Sequence, residues 1–477
     1  MRHFVGNAWG HYWVRVVGLL GLLALLLAAV VTAVGIPKHA ARAATGYWSM
    51  YLGDLGRSGF NPSETIITPG TAKNLKLHWT RSAGSSMATE PVEANGLIYW
   101  GTWDGLEHAT DPSTGNDVWT ANLGQTSSCT KHPHGVLSTA TVASMTIAGV
   151  ATTVVYVGGG NAQLYALDAN AGTVLWQTPL GSPPNDFIYS SPAIYNGSVY
   201  IGVSSYNDCP LVQGRMVQMD ASTGIIQHIF TTVPDGCIGG GVWGSPTIDT
   251  TTGMLYFSTG TPGTCSTSEP LIYAVVALNA ADLSFVGAWQ VPPADQGFDS
   301  DFGTTPTLFQ ATIGGVLHQM LGLANKNGIY YAFNRADISA GPLWQVRIAA
   351  PGADPARGHG SISSSAWDGT ALYVAGADTT INNLACGGSV RALDPTTGVF
   401  LWERCLGKNV LAAVTSVPGL VIADAGANMI VVNATTGKKL FTYHDPTTGS
   451  GFWGAASVSN GVLYQGNMDG KLYAFGL

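Results

Sequence analysis

One phrase recurs along this chain and restricts its fold more than any other feature. Ala109-Thr-Asp111-Pro-Ser-Thr-Gly115-Asn-Asp-Val-Trp119 returns as Ala166-Leu-Asp168-Ala-Asn-Ala-Gly172-Thr-Val-Leu-Trp176. It returns again as Ala392-Leu-Asp394-Pro-Thr-Thr-Gly398-Val-Phe-Leu-Trp402. Looser copies surround Asp220 and Asn433, and others end at Trp289 and Trp344. A period of about 40 to 60 residues is the range of propellers and solenoids. Within the phrase, an alternating run such as Gln163-Leu-Tyr-Ala-Leu167 reads as a half-buried strand. Asp-x-x-Thr-Gly reads as a tight hairpin whose Asp accepts local backbone N–H groups. The following strand carries a Trp large enough to wedge against the neighbouring repeat. Two further strands precede each phrase, so each unit is a four-stranded antiparallel sheet with strands A to D from the axis outward.

The chain ends supply the last unit. Lys471-Leu-Tyr-Ala-Phe475 is a strand C with no Trp strand after it, and Leu75-Lys-Leu-His-Trp79 is a Trp strand with no strand C before it. Joined, they close a ring and hide its edges. The expected fold is an all-β, eight-bladed propeller of four-stranded antiparallel blades, closed by N- and C-terminal strands. It occupies residues 44–477, after a targeting segment at 1–43.

That segment holds an uninterrupted apolar run at 16–35, preceded by Arg2 and Arg15 and followed by Ala41-Arg42-Ala43. It reads as a cleaved signal peptide or as an uncleaved membrane anchor through 16–35. Both readings place the remainder outside: extracellular, periplasmic, or anchored facing outward. Removing the four basic residues before the cut takes the net charge from −8 to −12. An acidic chain with only 10% charged residues excludes a nucleic-acid partner. Six cysteines, with no CxxC among them, suit disulfides in an oxidising compartment. Six cysteines allow fifteen pairings, and the sequence does not choose between them.

Strand direction sorts the loops. D-to-A and B-to-C loops share one face, whereas the repeated Asp turns are C-to-D loops on the other. Inner strands begin with small pairs: Ser138-Thr139, Ser190-Ser191, Gly244-Ser245, Thr304-Thr305 and Ser363-Ser364. Small side chains suit strands converging on a crowded axis. The residues just before them should rim a funnel: Trp243 before Gly244, and Asp299 with Asp301 before Thr304. B-to-C loops on that face add Asn207-Asp208, Thr261 and Lys326-Asn327. An aromatic plane, two acids, a lysine and oxygen donors at one mouth form a candidate site. Bland readings compete with this one. Asp299 and Asp301 could be turn residues, and Lys326 a solvated hairpin lysine. His132 and His134, beside Pro133, read as loop residues rather than metal ligands.

The repeated phrase resembles the tryptophan-docking motif of the PQQ (pyrroloquinoline quinone) dehydrogenases, of the methanol and polyvinyl alcohol dehydrogenase kind. The likeness extends to GVWGSPTID…LYFSTGTP from Gly241 to Pro262 and to ANKNGIYYAFNR around Lys326. The resemblance implies an exported quinoprotein that oxidises a small or polymeric alcohol, or a polyol, and passes electrons to an external carrier. By it, Trp243 stacks on the quinone, and Lys326 and Asn327 contact it. Asp299 and Lys326 are the catalytic pair, and Asp299, Asp301, Asn207 and Thr261 hold Ca²⁺ or a lanthanide. The chain departs from the family where Asn207 or Asp208 and Thr261 replace its Glu and Asn metal ligands. The adjacent-cysteine pair that covers the cofactor is missing, and no arginine obviously faces the cofactor carboxylates, Lys131 and Arg357 being the nearest candidates. The alternative is a non-catalytic binding or scaffold propeller with a degenerate cofactor site, of the outer-membrane assembly-factor type.

Overall fold

The computed structural model describes residues 48–127, 133–265, 269–297, 299–352, 354, 359–447 and 449–477. Lys131, His132, Arg357 and the segment 1–43 lie outside these residues. Among the described residues, no helix is long and apolar enough to cross a membrane. Eight antiparallel sheets follow one another along the chain and form the blades of a propeller. Blade 1 runs from Val92–Ala94 to Asp117–Asn122, and blade 4 from Thr247–Asp249 to Phe285–Gln290. Blade 5 runs from Thr307–Ile313 to Pro342–Arg347. Blade 8 is composite: Lys76–Ser82 pairs antiparallel with Lys471–Gly476, completing the sheet begun by Ser457–Ser459 and Val462–Gly466. The ring closes as the complementary half-blades required. Two small additions were not legible in the repeat: a strand Asp186–Phe187 on blade 3, and a hairpin of Thr379–Ile381 with Leu384–Cys386 inserted in blade 6.

The repeated phrase works as a latch. Each Asp side chain accepts the amides two and three residues on; Asp168 Oδ1 takes Asn170 N–H and Ala171 N–H, both at 2.9 Å. The docking Trp of one blade then lies on the turn glycine of the next. A Cβ on Gly172 would stand 2.6 Å from the Trp119 ring, and one on Gly398 2.5 Å from Trp344. The indole N–H donates to a carbonyl in the same turn: Trp119 to Ala169 O at 3.0 Å, Trp344 to Pro395 O at 3.0 Å, Trp402 to Ala434 O at 2.7 Å. The turn glycines also adopt positive φ, 68° at Gly172 and 72° at Gly398, so both the backbone and the close approach demand glycine.

The small residues on the inner strands do more than fit. The Glu90 amide donates to Thr139 Oγ1, Thr139 N–H to Ser191 Oγ, and Ser191 N–H to Ser245 Oγ. Ser245 N–H then donates to Thr305 Oγ1, and Thr305 N–H to Ser364 Oγ. This belt of hydroxyls ties six consecutive blades around the axis. Steric crowding alone did not reveal it.

Below the belt, residues 48–61 weave across the ends of the inner strands and touch every blade. Trp48 bonds to Glu93 O in blade 1, and the Ser49, Leu55, Gly56, Ser58 and Gly59 carbonyls accept amides of Val142, Ile248, Leu308, Trp367 and Ser416. Arg57, fully buried, reaches Pro192 O in blade 3, and Asn61 reaches Val458 O in blade 8. Ile248 and Leu308 lie five residues past Trp243 and Gly303, about 16 Å at strand rise. The segment is therefore a floor, and the opposite end of the axis stays open as a funnel.

Glu90 occupies the belt position of blade 1, where its carboxyl accepts Trp48 Nε1–H at 2.6 Å and Leu52 N–H at 2.8 Å. Burial pushes this carboxyl up to about 8, with the two hydrogen bonds and Arg57 opposing. The folded state therefore holds a proton from pH 4.5 to about 8, a range in which the unfolded chain has lost it. Stability falls as pH rises through that window, by about 1.4 kcal/mol per pH unit. Glu90→Gln should flatten this decline in thermal melts run between about pH 5 and 9. A variant whose melts fall as steeply as those of the parent would show that Glu90 does not carry it.

Candidate functional site

The funnel holds a cavity of about 310 Å³, within the range of small-molecule sites. Trp243, Asn207, Asp208, Thr261, Asp301 and Lys326 are among its lining residues. D-to-A and B-to-C loops of several blades thus meet at one mouth, as strand direction required.

Lys326 is the centre of charge. Its ammonium lies 2.9 Å from Asp299 Oδ2, 2.5 Å from Asp301 Oδ1 and 5.4 Å from the centre of the Trp243 ring. Burial lowers the lysine's affinity for its proton, but Asp301 and Asp299 more than offset this and hold it above the ordinary lysine range. Asp301 is 3% exposed, and its Oδ2 accepts Trp243 Nε1–H at 3.0 Å. Burial raises the Asp301 carboxyl, Lys326 opposes, and Asp299 adds to the rise. Asp299 stands at φ 59°, the left-handed region that Asp tolerates better than most residues. Its Oδ1 accepts Thr261 Oγ1–H at 3.0 Å, which leaves the carboxylate held from both sides.

Glycines fix the indole plane. A Cβ on Gly303 would come within 2.2 Å of Trp243 Cη2, and one on Gly260 would lie 3.3 Å from both Trp243 Nε1 and Asp301 Oδ2. The ring is thus held closely along its edge, and it lines the cavity.

Two expected residues sit apart from this cluster. The Asn327 amide donates to Tyr331 OH at 2.8 Å and to Asp295 O at 3.2 Å, away from the ammonium. It stitches the acidic loop to the lysine hairpin, together with Asn325, whose amide donates to Ser300 O at 2.8 Å. Asn207 lines the cavity, but its Oδ1 accepts Tyr189 OH at 3.2 Å and is not bonded to the acids. Its neighbour Asp208 feels Asp299 more directly: burial and then the Asp299 charge raise its carboxyl, against Lys326.

Most other lining residues escaped the sequence, in which His134 reads only as a loop residue. Trp103, His134, Tyr189, Ser204 and Trp453 come from blades 1, 2, 3 and 8. Trp103 packs against His134 at 4.1 Å and meets Trp453 edge-on at 6.3 Å, and His134 packs against Tyr206 at 5.2 Å. A signal existed for Trp453, since Gly451-Phe-Trp453-Gly454 repeats the form of Gly241-Val-Trp243-Gly244. Two loops of this face are braced by Cys237–Cys265, which joins the stretch before Trp243 to the one after Thr261. A second disulfide, Cys386–Cys405, lies in blade 6, and Cys209 is also disulfide-bonded.

The sequence matches a family model described as PQQ, the glucose/ethanol/alcohol dehydrogenase β-propeller domain, over residues 48–359. A second model, outer membrane protein assembly factor BamB, matches residues 315–477. Polyvinylalcohol dehydrogenase of a Pseudomonas species is 22% identical over 449 residues, covering 83% of this chain and 67% of that protein. Across the first curated relatives, the chain spans from 42% to 67% of their length. Quinohemoprotein alcohol dehydrogenase from Comamonas testosteroni superposes with a TM-score of 0.72 at 17% identity, covering 92% of this chain and 81% of that one. A europium-containing methanol dehydrogenase superposes with a TM-score of 0.71 at 18% identity, covering 91% and 99%. At these identities the superpositions establish the shared fold.

Proposed function

Because the chain belongs to the PQQ β-propeller domain family of the glucose, ethanol and alcohol dehydrogenases, we propose that it oxidises an alcohol or polyol with a quinone held over Trp243. The observation that carries this reading is the contact of one ammonium, Lys326, with Asp299, Asp301 and the Trp243 ring, beside a cavity that Lys326, Asp301 and Trp243 line and Asp299 does not. The residues present fit a planar quinone. The indole offers a π face, the cavity suits a compact ring system, and the cation stands beside the platform. The donor set also suits a hard cation, because Asn207, Asp208, Thr261, Asp299 and Asp301 offer only oxygen. Three carboxylates face a single ammonium, an excess of negative charge that Ca²⁺ or a lanthanide would neutralise. Asp299, Asp301, Thr261 and Asn207 would hold it, and it would add positive charge beside the reacting oxygen.

When bound, the quinone supplies the acceptor for the hydride that leaves the alcohol carbon. The chain's own contribution is narrower. Asp299 takes the hydroxyl proton, with Thr261 fixing the carboxylate from the other side. Lys326 keeps positive charge at the site in a partly dry environment, where it is worth more than in water. Asp301 aims the ammonium and anchors the indole N–H at once. The Cys237–Cys265 and Cys386–Cys405 disulfides brace the scaffold in the manner of exported proteins. Export and an external electron carrier complete the reading.

The BamB match over 315–477 supports a second reading, a scaffold propeller without turnover. Reconstitution separates the two. The protein is mixed with PQQ and Ca²⁺ or La³⁺, freed of unbound ligand, and examined by absorbance and mass spectrometry; alcohols are then tested for dye reduction. Retention of quinone near one per chain with alcohol-dependent dye reduction is expected. A chain that retains none, with either metal, belongs to the scaffold reading.

A further inference from the structure

The loop that carries the acids has a second side. Asp301 and Lys326 line the funnel cavity, whereas their chain neighbours Ser300 and Asn327 line another, of about 380 Å³. That volume too lies within the range of small-molecule sites. Its walls come from the D-to-A loops on either side of blade 5 and from the B-to-C turn of that blade, so it lies on the face that carries the funnel. Hydrogen bonds seal the partition between the two cavities. The Asn325 amide donates to Ser300 O at 2.8 Å, the Asn327 amide to Asp295 O at 3.2 Å, and the Lys326 backbone N–H to Asp301 O at 3.3 Å. The second cavity is therefore separate, and the chemistry proposed for the funnel makes no use of it.

Its lining presents both signs of charge, and neither is neutralised. Arg347 ends the outer strand of blade 5 and donates through Nη1 to Asn327 O at 2.8 Å, while its Nε and Nη2 make no hydrogen bond among the described residues. The Asp295 carboxylate makes none among them either, and neither side chain joins an ion pair there. Ser300 is 4% exposed and accepts Gly297 N–H at 2.6 Å, which leaves its O–H to donate. The Gln296 amide donates to Val291 O at 2.6 Å, which leaves Oε1 to accept. An anion drawn by Arg347 meets Asp295 and a chain of net charge −8, and a cation drawn by Asp295 meets Arg347. Neutral hydroxyls suit both, because each one donates and accepts. Ala294 and Pro351 add an apolar surface for the C–H faces between hydroxyls. We propose that this cavity is a second binding site, for a neutral polyhydroxylated ligand of the sugar or sugar-alcohol class. Asp295 and Gln296 accept from its hydroxyls, and Arg347 and Ser300 donate to them. The site stands independently of the quinone reading.

The test needs no quinone. Saturation-transfer NMR on the full chain follows sorbitol, maltose and, as a zwitterion able to span Asp295 and Arg347, free alanine. Sorbitol or maltose should show transfer and alanine none, and the stronger of the first two tells a sugar alcohol from a sugar. Asp295→Ala and Arg347→Gln should each weaken that ligand by about tenfold or more, the size expected for a hydrogen bond to a charged group. Asp208→Asn, on the funnel side of the partition, should change its binding by less than about twofold. No transfer from either polyol at tens of millimolar, tighter binding of alanine, or a loss in Asp208→Asn without one in Asp295→Ala would overturn the site. None of these outcomes bears on quinone retention, and a chain that retains no quinone but binds sorbitol through Asp295 keeps this site and loses the dehydrogenase reading. Asp295→Ala keeps the test decisive should Arg347→Gln disturb the Asn327 turn, because the carboxylate it removes makes no hydrogen bond among the described residues.

Discussion

Asp299→Asn in the quinone-loaded protein is expected to lower alcohol-dependent dye reduction by about 10²- to 10⁴-fold, the usual contribution of a positioned base. Quinone affinity should stay within about threefold, because the platform and its lysine remain. The size follows from the geometry. Asn keeps an oxygen to accept Thr261 Oγ1–H but has no basic lone pair for the alcohol proton, and its amide N–H₂ faces the Lys326 ammonium instead of a carboxylate. The ammonium is still held by Asp301 at 2.5 Å, so the site keeps its cation. The loss should appear in kcat, with KM little changed, as expected when a group acts in the transition state. Thr261→Val is the companion variant. It removes one hydrogen bond to the carboxylate and leaves the base, so its loss should be about tenfold or less. If Asp299→Asn turns over like the parent protein, the proton goes elsewhere and Asp208 becomes the next carboxylate to test.

What the sequence disclosed depended on whether the information was local. The docking latch could be read because Asp168, Gly172 and Trp176 lie within one repeat and recur in others. Blade count and closure followed from the unmatched strands at Trp79 and Tyr473. The acids and Lys326 could be placed because loop direction assigns each to one face and blades 4 and 5 adjoin. The rest required the closed ring. Trp103, His134 and Ser204 come from separate blades, and nothing in their local sequence distinguishes them from ordinary loop residues. The hydroxyl belt was read as crowding because its bonds cross from each blade to the next. The weave of 48–61 is mostly backbone, so its contacts carry no side-chain signature. Asn327 points away because the tight Asn325-Lys326-Asn327 turn sends alternate side chains to opposite sides, and only Lys326 reaches the cavity.

Gly303→Ala should cost at least about 100-fold in quinone affinity, for a reason that concerns the Trp243 plane alone. The added methyl would lie 2.2 Å from Trp243 Cη2 and 2.5 Å from Ile362 Cγ2, far inside contact distance. The indole has no easy retreat. Its N–H is tied to Asp301 Oδ2 at 3.0 Å, and Gly260 lies against its nitrogen edge. Overpacking of this kind costs about 1–3 kcal/mol, a modest share of the stability of a propeller latched at most of its blades. The fold should survive while the ring tilts, the Asp301 bond breaks and the stacking face turns from the cavity. Gly407→Ala is the control, since nothing lies within 4 Å of its added methyl; it should bind and melt like the parent protein. Titration of each variant with PQQ, paired with thermal melts, separates the possibilities. Gly303→Ala melting within a few degrees of the parent but failing to bind would locate the quinone on the indole. The same variant binding at full affinity would show that the ligand rests on another surface, because a displaced ring cannot serve as the platform.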